Sequence, residues 1–361
     1  MRVAMVAAAW EVDVEAQRSH MTELSEALCA RGHEVVLYLR QHSPMPLQRQ
    51  RAKRGYQVVR VPAGPTDRLS GADLVPHLDE FAAFLDDHWS GWRPDVVHLR
   101  SWLSALAVGG GRDIPVVQSF HGLGIVEQRF RDTEARTRLD IERRTGAAAG
   151  RVVAASAEEV SDLVRMGVPR SRTSFVPCGI DTGLFTPDGP AMRSGGGPRL
   201  IATGDVRPHS GLDTAISALQ SVPRAQLVIA GHVHSTDPRE DPEVRRLVEH
   251  ARRLGVADRV KFTGGVDRSR RPALLRSADV VLCPSWYEPL GATALEAMAC
   301  GVPVVASAVG AFNDAVVDGV TGVLVPPRDS RALGFALRDL LADSTRRQMC
   351  AIAGVDRVQA R

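Results

Sequence analysis

Apolar residues along this chain follow two alternating patterns. Short runs rich in Val, Ile and Leu, such as 33–40 and 278–285, suit strands that are buried on both faces. Between them lie longer segments whose apolar residues recur at helical spacing, such as 16–32, which ends at a glycine. Strands that alternate with helices in this way are typical of an α/β fold with a doubly wound, mostly parallel sheet.

The alternation occurs twice, on either side of the aperiodic, Gly- and Pro-rich segment 186–198, which we predict to be a flexible linker. We therefore expect a first domain at 1–185 and a second at 199–361, facing each other across a ligand-binding cleft. The predicted strands are 2–8, 33–40, 58–63, 94–99, 114–120, 151–156 and 174–180, then 198–204, 225–231, 259–264, 278–285, 301–307 and 322–327. The predicted helices are 16–32, 74–89, 129–145 and 157–167, then 212–222, 243–254, 272–277, 292–301 and 330–343.

Length and composition agree with two ordinary globular domains. A chain of 361 residues can form two hydrophobic cores, since a single core rarely grows beyond about 250 to 300 residues. The net charge of +3 is small, and no long run of Lys or Arg predicts a nucleic-acid partner. The five cysteines show no CxxC pairing, which favours reduced thiols in the cytoplasm over disulfides or a zinc site. No apolar run reaches the roughly 20 residues that a transmembrane helix needs.

Candidate chemistry appears in the segment 286–301, which reads WYEPLGATALEAMACG. Glu288 lies in the loop that follows a predicted strand, at the carboxyl end where parallel sheets place their ligands. Glu296 lies roughly one and a half turns into the next helix, so both carboxylates could face one crevice. Free amides at the start of that helix could hold a phosphate. Spacing alone also allows the alternative that both carboxylates are solvated.

Six segments in order resemble retaining glycosyltransferases of family 4, which have two Rossmann-like domains in the GT-B arrangement. The segment 284–307, PSWYEPLGATALEAMACGVPVVAS, looks like the E-x7-E signature of that family. The other five matches are 31–35, 94–98, 176–187, 265–285 and 318–329. The resemblance covers nearly the whole chain. It implies that the first domain binds the acceptor and the second binds a nucleotide-sugar donor.

The resemblance assigns roles to residues of the donor site. It implies that Glu296 accepts hydrogen bonds from the ribose hydroxyls of the donor and that Glu288 binds hydroxyls of the transferred sugar. An ionised carboxylate suits both tasks, because it is acceptor-only and can hold two vicinal hydroxyls. The backbone near Gly265 and Val266 is expected to contact the base. The amides expected at the donor phosphate or sugar oxygens are those of Leu290, Gly291, Ala292 and Thr293.

His121 follows a predicted strand, in SFHGLG. A lone histidine there is usually structural, but the resemblance implies a place beside the reacting sugar, where it would bind a sugar hydroxyl or orient the acceptor. Family members retain the anomeric configuration by front-face displacement, in which the leaving phosphate helps to deprotonate the acceptor. The protein then holds both substrates and stabilises the developing charge. No metal or other cofactor is expected.

The first loop of the second domain departs from the family pattern. In TGDVRPHSG, 203–211, Asp205 and Ser210 stand where relatives place an Arg and a Lys that grip the donor diphosphate. Arg207 or His209 could take over this role, or both could be solvated loop residues. The same loop contributes Gly204 to the expected donor site.

The first loop of the first domain also departs from the pattern. Glu15 and Ala16 occupy the positions of a common Gly-Gly pair, which predicts a loop of different shape. The candidate acceptor contacts are Gln17, Arg18, His20, Arg100 and Trp102, together with Ser101.

The C-terminal segment 354–361 is where relatives continue into a helix that returns to the first domain, and we expect that helix to be absent. The sequence thus predicts a retaining, metal-independent glycosyltransferase that acts on a small soluble acceptor, such as a natural-product intermediate. Two alternatives rest on the loop 203–211. The protein could use an unusual activated donor, or it could bind nucleotide sugar without turnover.

Overall fold

The computed structural model describes residues 1–8, 15–41, 50–51, 55–67, 69, 71–109, 113–129, 136–192, 195–232 and 240–360. The chain forms two compact units, Met1–Pro177 and Cys178–Arg361. The division between them lies earlier than the predicted end of the first domain at residue 185. Each unit is a doubly wound α/β structure, as the sequence predicts.

The first unit is built on a sheet of eight strands in the order β3-β4-β2-β1-β5-β6-β7-β8. All neighbours pair in parallel except β3, which is antiparallel to β4. The strand order reverses between β1 and β5, and such a switch point is where α/β sheets bind ligands at the strand carboxyl ends. The strands are β1 Arg2–Ala7, β2 Glu34–Arg40, β3 Gln50–Arg51, β4 Gln57–Val61, β5 Val96–Arg100, β6 Val116–Ser119, β7 Arg151–Ala154 and β8 Thr173–Phe175.

Helices cover this sheet, and a separate apolar cluster packs on each face. One cluster includes Phe81 and Leu85, and the other includes Met21 and Leu37. This two-sided burial explains why the central strands are continuously apolar. The helices are α1 Glu15–Ala30, α2 Gly71–Leu74, α3 Leu78–Gly91, α4 Ser101–Val108, α5 Gly124–Gln128, α6 Arg136–Ala148 and α7 Ala157–Arg165.

One helical prediction in this unit needs correction, and α4 was missed. Of the long helix expected at 129–145, Arg129 lies in a turn, 130–135 lie outside the described residues, and the described helix α6 runs from Arg136 to Ala148. Helix α4 was not predicted, because its sequence SWLSALAV is apolar on nearly every side and gives no helical periodicity.

The second unit contains a parallel sheet of six strands in the order β11-β10-β9-β12-β13-β14. Its switch point lies between β9 and β12, the two strands whose following loops carry the predicted donor residues. The strands are β9 Arg199–Asp205, β10 Gln226–His232, β11 Val260–Phe262, β12 Val280–Cys283, β13 Val304–Ser307 and β14 Gly322–Val325. The helices are α8 Leu212–Ala218, α9 Pro242–Arg253, α10 Arg271–Leu275, α11 Ala292–Ala299, α12 Phe312–Ala315, α13 Ser330–Ala342 and α14 Ser344–Gln359.

The last helix, α14, was not predicted. It packs against α11 and α13 inside the second unit. Gly354 permits the close approach to α11, because a Cβ atom there would lie 3.1 Å from Cβ of Met298. None of the helices in the described ranges is long and apolar enough to cross a membrane.

The segment predicted as a flexible linker makes ordered contacts with the second unit. Arg276 donates from Nη1 to the Thr186 carbonyl at 2.8 Å and from Nε to the Pro190 carbonyl at 3.0 Å. The Met192 amide donates to the Ala273 carbonyl at 2.8 Å. Residues 186–192 therefore lie against α10 and belong structurally to the second unit.

Candidate active site

Glu288 shapes the loop that leads from β12 into α11. Its Oε1 accepts hydrogen bonds from the amides of Leu290 at 3.2 Å and Gly291 at 3.0 Å. Gly291 has φ of 71°, a left-handed conformation that glycine adopts without strain. The side chain of Glu288 is half-buried, and burial raises its pKa, while the two amide hydrogen bonds act against that rise. The carboxylate thus binds the backbone at the start of α11.

Glu296 lies inside α11 and is only 2% exposed. Arg271 donates from Nη1 to its two carboxylate oxygens at 3.2 and 3.1 Å, and Arg268 approaches Oε1 at 3.5 Å. The alternative that this carboxylate is solvated is therefore wrong. The two arginines had no predicted role. The cluster RSRR at 268–271 was their signal, but only the fold reveals which carboxylate they meet.

The two glutamates both raise the pKa of one nearby group, the Cys283 thiol. After burial, the charges of Glu288 and Glu296 are the next causes that raise the pKa of the Cys283 thiol, at the end of β12. The fold therefore gathers both carboxylates near the carboxyl end of this strand. Of the other predicted donor residues, Ala292 is buried and Thr293 half-buried in the first turn of α11. Val266 packs on the apolar cluster around Ile201.

The loop after β9 contains an ion pair, and one of its partners, Asp205, stands where the resemblance predicts an arginine. Arg207 Nε lies 3.9 Å from Asp205 Oδ2, and both side chains are half-buried. Ser210 donates from its hydroxyl to the Asp205 carbonyl at 2.6 Å, so it has a local structural role. The exposed Gly204 has φ of 126°, and a Cβ atom there would meet no atom within 4 Å.

Trp286 contacts both the loop after β9 and the side chain of Arg328. Its amide donates to the His209 carbonyl at 2.9 Å, which joins the loops after β9 and β12. The Arg328 guanidinium lies over the Trp286 ring, 3.7 Å from its centre, at a typical cation–π distance. Arg328 has φ of 61°, which is uncommon for a residue other than glycine. No spacing in the sequence indicated this contact.

In the first unit, the ends of β5 and β6 bring several predicted residues together. The rings of His20 and His121 have centroids 4.8 Å apart and meet edge to face. His121 is 6% exposed and Arg100 is 3% exposed. His98, which had no predicted role, has Nε2 2.8 Å from the Ser119 hydroxyl.

Burial and mutual repulsion keep the imidazoles of this cluster neutral. Burial, and then the charge of Arg100, lowers the pKa of His20 to about 4. Burial, and then His20, lowers the pKa of His98 to about 4. The pKa of His121 lies well below its usual value, because of burial first and then His20, Arg100 and His98. A neutral imidazole has one nitrogen that donates a hydrogen bond and one that accepts.

The remaining predictions for the first unit have mixed outcomes. Trp102 is half-buried and packs on the core beside β5, and Ser101 has φ of 70°. Glu15 and Ala16 lie in the helix α1, and residues 9–14 before them lie outside the described residues. The side chains of Gln17 and Arg18 also lie outside the described part of the chain, so their acceptor contacts stay predictions. Within the described ranges, no group of three or more His, Cys, Asp or Glu could hold a metal ion.

Comparison with known proteins identifies the fold and the family. Residues 17–184 match the family model described as Glycosyltransferase Family 4, and residues 192–357 match Glycosyl transferases group 1. The chain is 36% identical to the D-inositol 3-phosphate glycosyltransferase of Xylanimonas cellulosilytica, over 94% of this chain and 86% of that protein.

Solved structures show the same fold. Sucrose-phosphate synthase from Thermosynechococcus elongatus is 28% identical, with a TM-score of 0.89 over 100% of this chain and 94% of that one. HepE of Anabaena, in complex with UDP-glucose, is 19% identical, with a TM-score of 0.77 over 100% and 95% of the two chains.

The two doubly wound units and these matches define a GT-B glycosyltransferase, which confirms the predicted fold and enzyme class. The chain belongs to glycosyltransferase family 4.

Proposed function

We propose that this chain is a retaining, metal-independent glycosyltransferase that moves a sugar from a nucleoside-diphosphate donor to a small polar acceptor. The observation that carries the proposal is the pair of carboxylates beside the end of β12. Glu288 is bound to amides at the start of α11, and Glu296 is bound to two arginines inside it. Support for the donor class also comes from HepE, a protein of the same fold whose structure contains UDP-glucose.

We expect each carboxylate to accept a hydrogen bond from a donor hydroxyl. Within the described part of the chain, both amide hydrogen bonds of Glu288 are made to Oε1, so Oε2 is the oxygen that we expect at the transferred sugar. Glu296 receives bonds from the two arginines on both of its oxygens. Because a carboxylate has about four lone-pair sites, we expect it to accept from the ribose hydroxyls as well. The arginines compensate its buried charge and orient it toward the ribose hydroxyls.

The leaving diphosphate would be stabilised by amides at the start of α11 and by Arg207. The Leu290 and Gly291 amides, which the sequence predicted at the donor, bind Glu288 Oε1 instead. The amides of Ala292 and Thr293 in the first turn of α11 are therefore the ones that we expect at the diphosphate, where the helix dipole favours an anion. Front-face displacement then needs no covalent intermediate on the protein. The bond from the anomeric carbon to the phosphate oxygen breaks, the acceptor oxygen bonds to the same face, and the acceptor proton passes to the leaving phosphate.

The acceptor class with the best support is a phosphorylated polyol. The Xylanimonas relative is named for D-inositol 3-phosphate. In the first unit, the buried Arg100 lies among the imidazoles of His20 and His121, and it lowers the pKa of both. A bound phosphate would face this positive potential, while the neutral His121 would hydrogen-bond a sugar or acceptor hydroxyl. The five free thiols fit our prediction of a cytoplasmic protein.

The rival function is binding of nucleotide sugar without turnover, and the Asp205–Arg207 pair is the observation that favours it. Calorimetry with UDP, GDP, ADP and dTDP tests the donor site, and we expect one of them to bind at micromolar to millimolar concentration. Failure of all four would overturn the donor assignment. Incubation with the matching sugar nucleotides, EDTA and inositol 3-phosphate or inositol then tests turnover. We expect product only with the phosphorylated acceptor, and with the anomeric configuration of the donor.

A further inference from the structure

The loop that carries His121 is held from outside by two side chains of α6. Arg138 donates from Nη2 to the Gly122 carbonyl at 2.8 Å. Glu142 accepts a hydrogen bond from the Gly124 amide, at 2.9 Å to Oε2 and 3.2 Å to Oε1. The two side chains also bind each other, because Arg138 donates from Nε to Oε1 of Glu142 at 2.7 Å. One ion pair therefore binds both ends of the three-residue segment that follows His121.

The backbone at His121 needs such support. His121 has φ of 52° and Gly122 has φ of 134°, so two consecutive residues lie at positive φ. For a histidine this conformation is strained, and it persists only where the surroundings determine it. Leu123 is fully buried, which anchors the middle of the segment, and its carbonyl accepts hydrogen bonds from the Val126 amide at 3.0 Å and the Glu127 amide at 3.2 Å. The hydrogen bonds from α6 hold the Gly122 carbonyl and the Gly124 amide on either side of Leu123.

The ion pair itself is rigid and largely removed from water. Glu142 is 0% exposed, and the Arg138 side chain is 21% exposed. Arg138 is further held by Glu127 of α5, whose Oε2 lies 2.8 Å from Nη1. Two carboxylates on one guanidinium fix its plane, so the bond to Gly122 has a defined direction.

We propose that Arg138 and Glu142 are positioning residues that hold the His121 imidazole in its working orientation. This inference rests on the proposed role of His121 in transfer. The pair does not contact substrate. It acts through the backbone of Gly122 and Gly124, and a small displacement of a group that orients a substrate lowers the rate of chemistry strongly.

The test uses Glu142→Gln and Arg138→Lys in the full-length protein, with Asp140→Asn as the matched control. Asp140 is an exposed carboxylate on the same helix, whose Oδ1 lies 3.4 Å from Arg143 Nη1. We expect Glu142→Gln to lower kcat roughly 10-fold or more. Binding of the nucleoside diphosphate found by calorimetry should be unchanged, because its proposed site is in the other unit. Arg138→Lys should retain part of the rate, and Asp140→Asn all of it.

A histidine NMR spectrum and a double mutant separate positioning from general stability. The imidazole resonances of His121, assigned with His121→Ala, should move in Glu142→Gln and stay in place in Asp140→Asn. In the His121→Ala background, Glu142→Gln should lower kcat no further. A full additional loss in that background, or unmoved His121 resonances, would overturn the proposal. So would an Arg138→Lys variant in which only KM for the acceptor rises, since Arg138 would then be a direct ligand.

These outcomes distinguish the inference from the function on which it rests. If His121→Ala keeps the wild-type kcat, the proposed role of His121 in transfer is wrong. The NMR comparison still decides whether the ion pair holds the imidazole, because it needs no activity. If the spectrum moves in Glu142→Gln but not in Asp140→Asn, and His121→Ala has a lowered but measurable kcat, both statements stand.

Discussion

Arg271 binds both carboxylate oxygens of Glu296 through a single nitrogen, at 3.1 and 3.2 Å, with both side chains buried. A buried carboxylate without a cation would carry a large desolvation cost. The arginine therefore supplies the compensating charge that lets an acidic residue lie inside α11, near the proposed ribose site. Arg268 adds a longer ion pair, with its Nη1 3.5 Å from Oε1 of Glu296.

Arg271→Met should destabilise the second unit. Met has similar volume but no charge, so it leaves the Glu296 carboxylate with a weaker partner. Breaking a buried pair costs about 3 kcal/mol or more, and we expect a loss near that value in urea unfolding. Arg252→Met is the control, because Arg252 pairs with Glu249 at the surface at 3.7 Å. A surface pair contributes about 1 kcal/mol at most. Equal losses in the two variants would contradict the burial argument.

Glu288→Gln should separate binding from chemistry. The amide oxygen can still accept from the Leu290 and Gly291 amides, so the loop should keep its shape. The variant lacks the carboxylate charge that we expect to bind hydroxyls of the transferred sugar. We expect kcat to fall about 100-fold, while calorimetry shows the same affinity for the nucleoside diphosphate. A wild-type kcat would remove Glu288 from the proposed site.

Substitutions in the loop after β9 test whether Arg207 meets the diphosphate. Arg207→Ala should weaken nucleoside-diphosphate binding about tenfold, the effect of losing one charge-assisted hydrogen bond. Binding of the nucleoside alone should not change. Asp205→Asn should act in the opposite direction and strengthen diphosphate binding several-fold, because it removes the anion 3.9 Å from Arg207 Nε. Parallel losses for nucleoside and diphosphate would exclude a phosphate contact.

Glu159 should make the stability of the protein depend on pH. This side chain is 6% exposed, and burial, as the first cause, raises its pKa from 4.5 to about 7. Below pH 4.5 the carboxyl is protonated in both states, and its contribution to stability is fully present. As pH rises toward 7, ionisation favours the unfolded chain, so the contribution is lost. The difference between the pKa of Glu159 in the unfolded chain and in the folded protein corresponds to up to about 3 kcal/mol of stability.

Urea unfolding of wild type and Glu159→Gln at pH 5, 6, 7 and 8 measures this effect. Gln can still accept the hydrogen bond from the Ala155 amide, which lies 2.8 Å from Oε2 in the wild type. It does not titrate, so the free energy of unfolding of wild type should fall relative to Glu159→Gln between pH 5 and 7 and change little above. Parallel curves would show that Glu159 ionises normally in the folded protein.

The sequence was sufficient for the elements whose formation depends on local pattern. The run 278–285 forms β12 because its apolar residues suit burial on both faces, and 292–301 forms α11 up to Ala299 because Ala, Leu, Met and Glu favour helix. The position of Glu288 at the carboxyl end of a strand followed from the same pattern. Helix α4 was not predicted, because an almost uniformly apolar segment has no periodicity to detect.

Contacts between distant segments were decided only by the tertiary structure. Spacing placed Glu296 on a helix, but could not say whether it faced water or two arginines, Arg268 in the turn before α10 and Arg271 at the start of that helix. Likewise, His121 was a candidate from its strand, while its supports Arg138 and Glu142 lie on α6, a helix that is brought to the loop by packing against α4 and α5. Local pattern reports which conformation a segment prefers. The order of strands in the sheet, which no single segment encodes, determines which side chains become neighbours and therefore which charges are compensated.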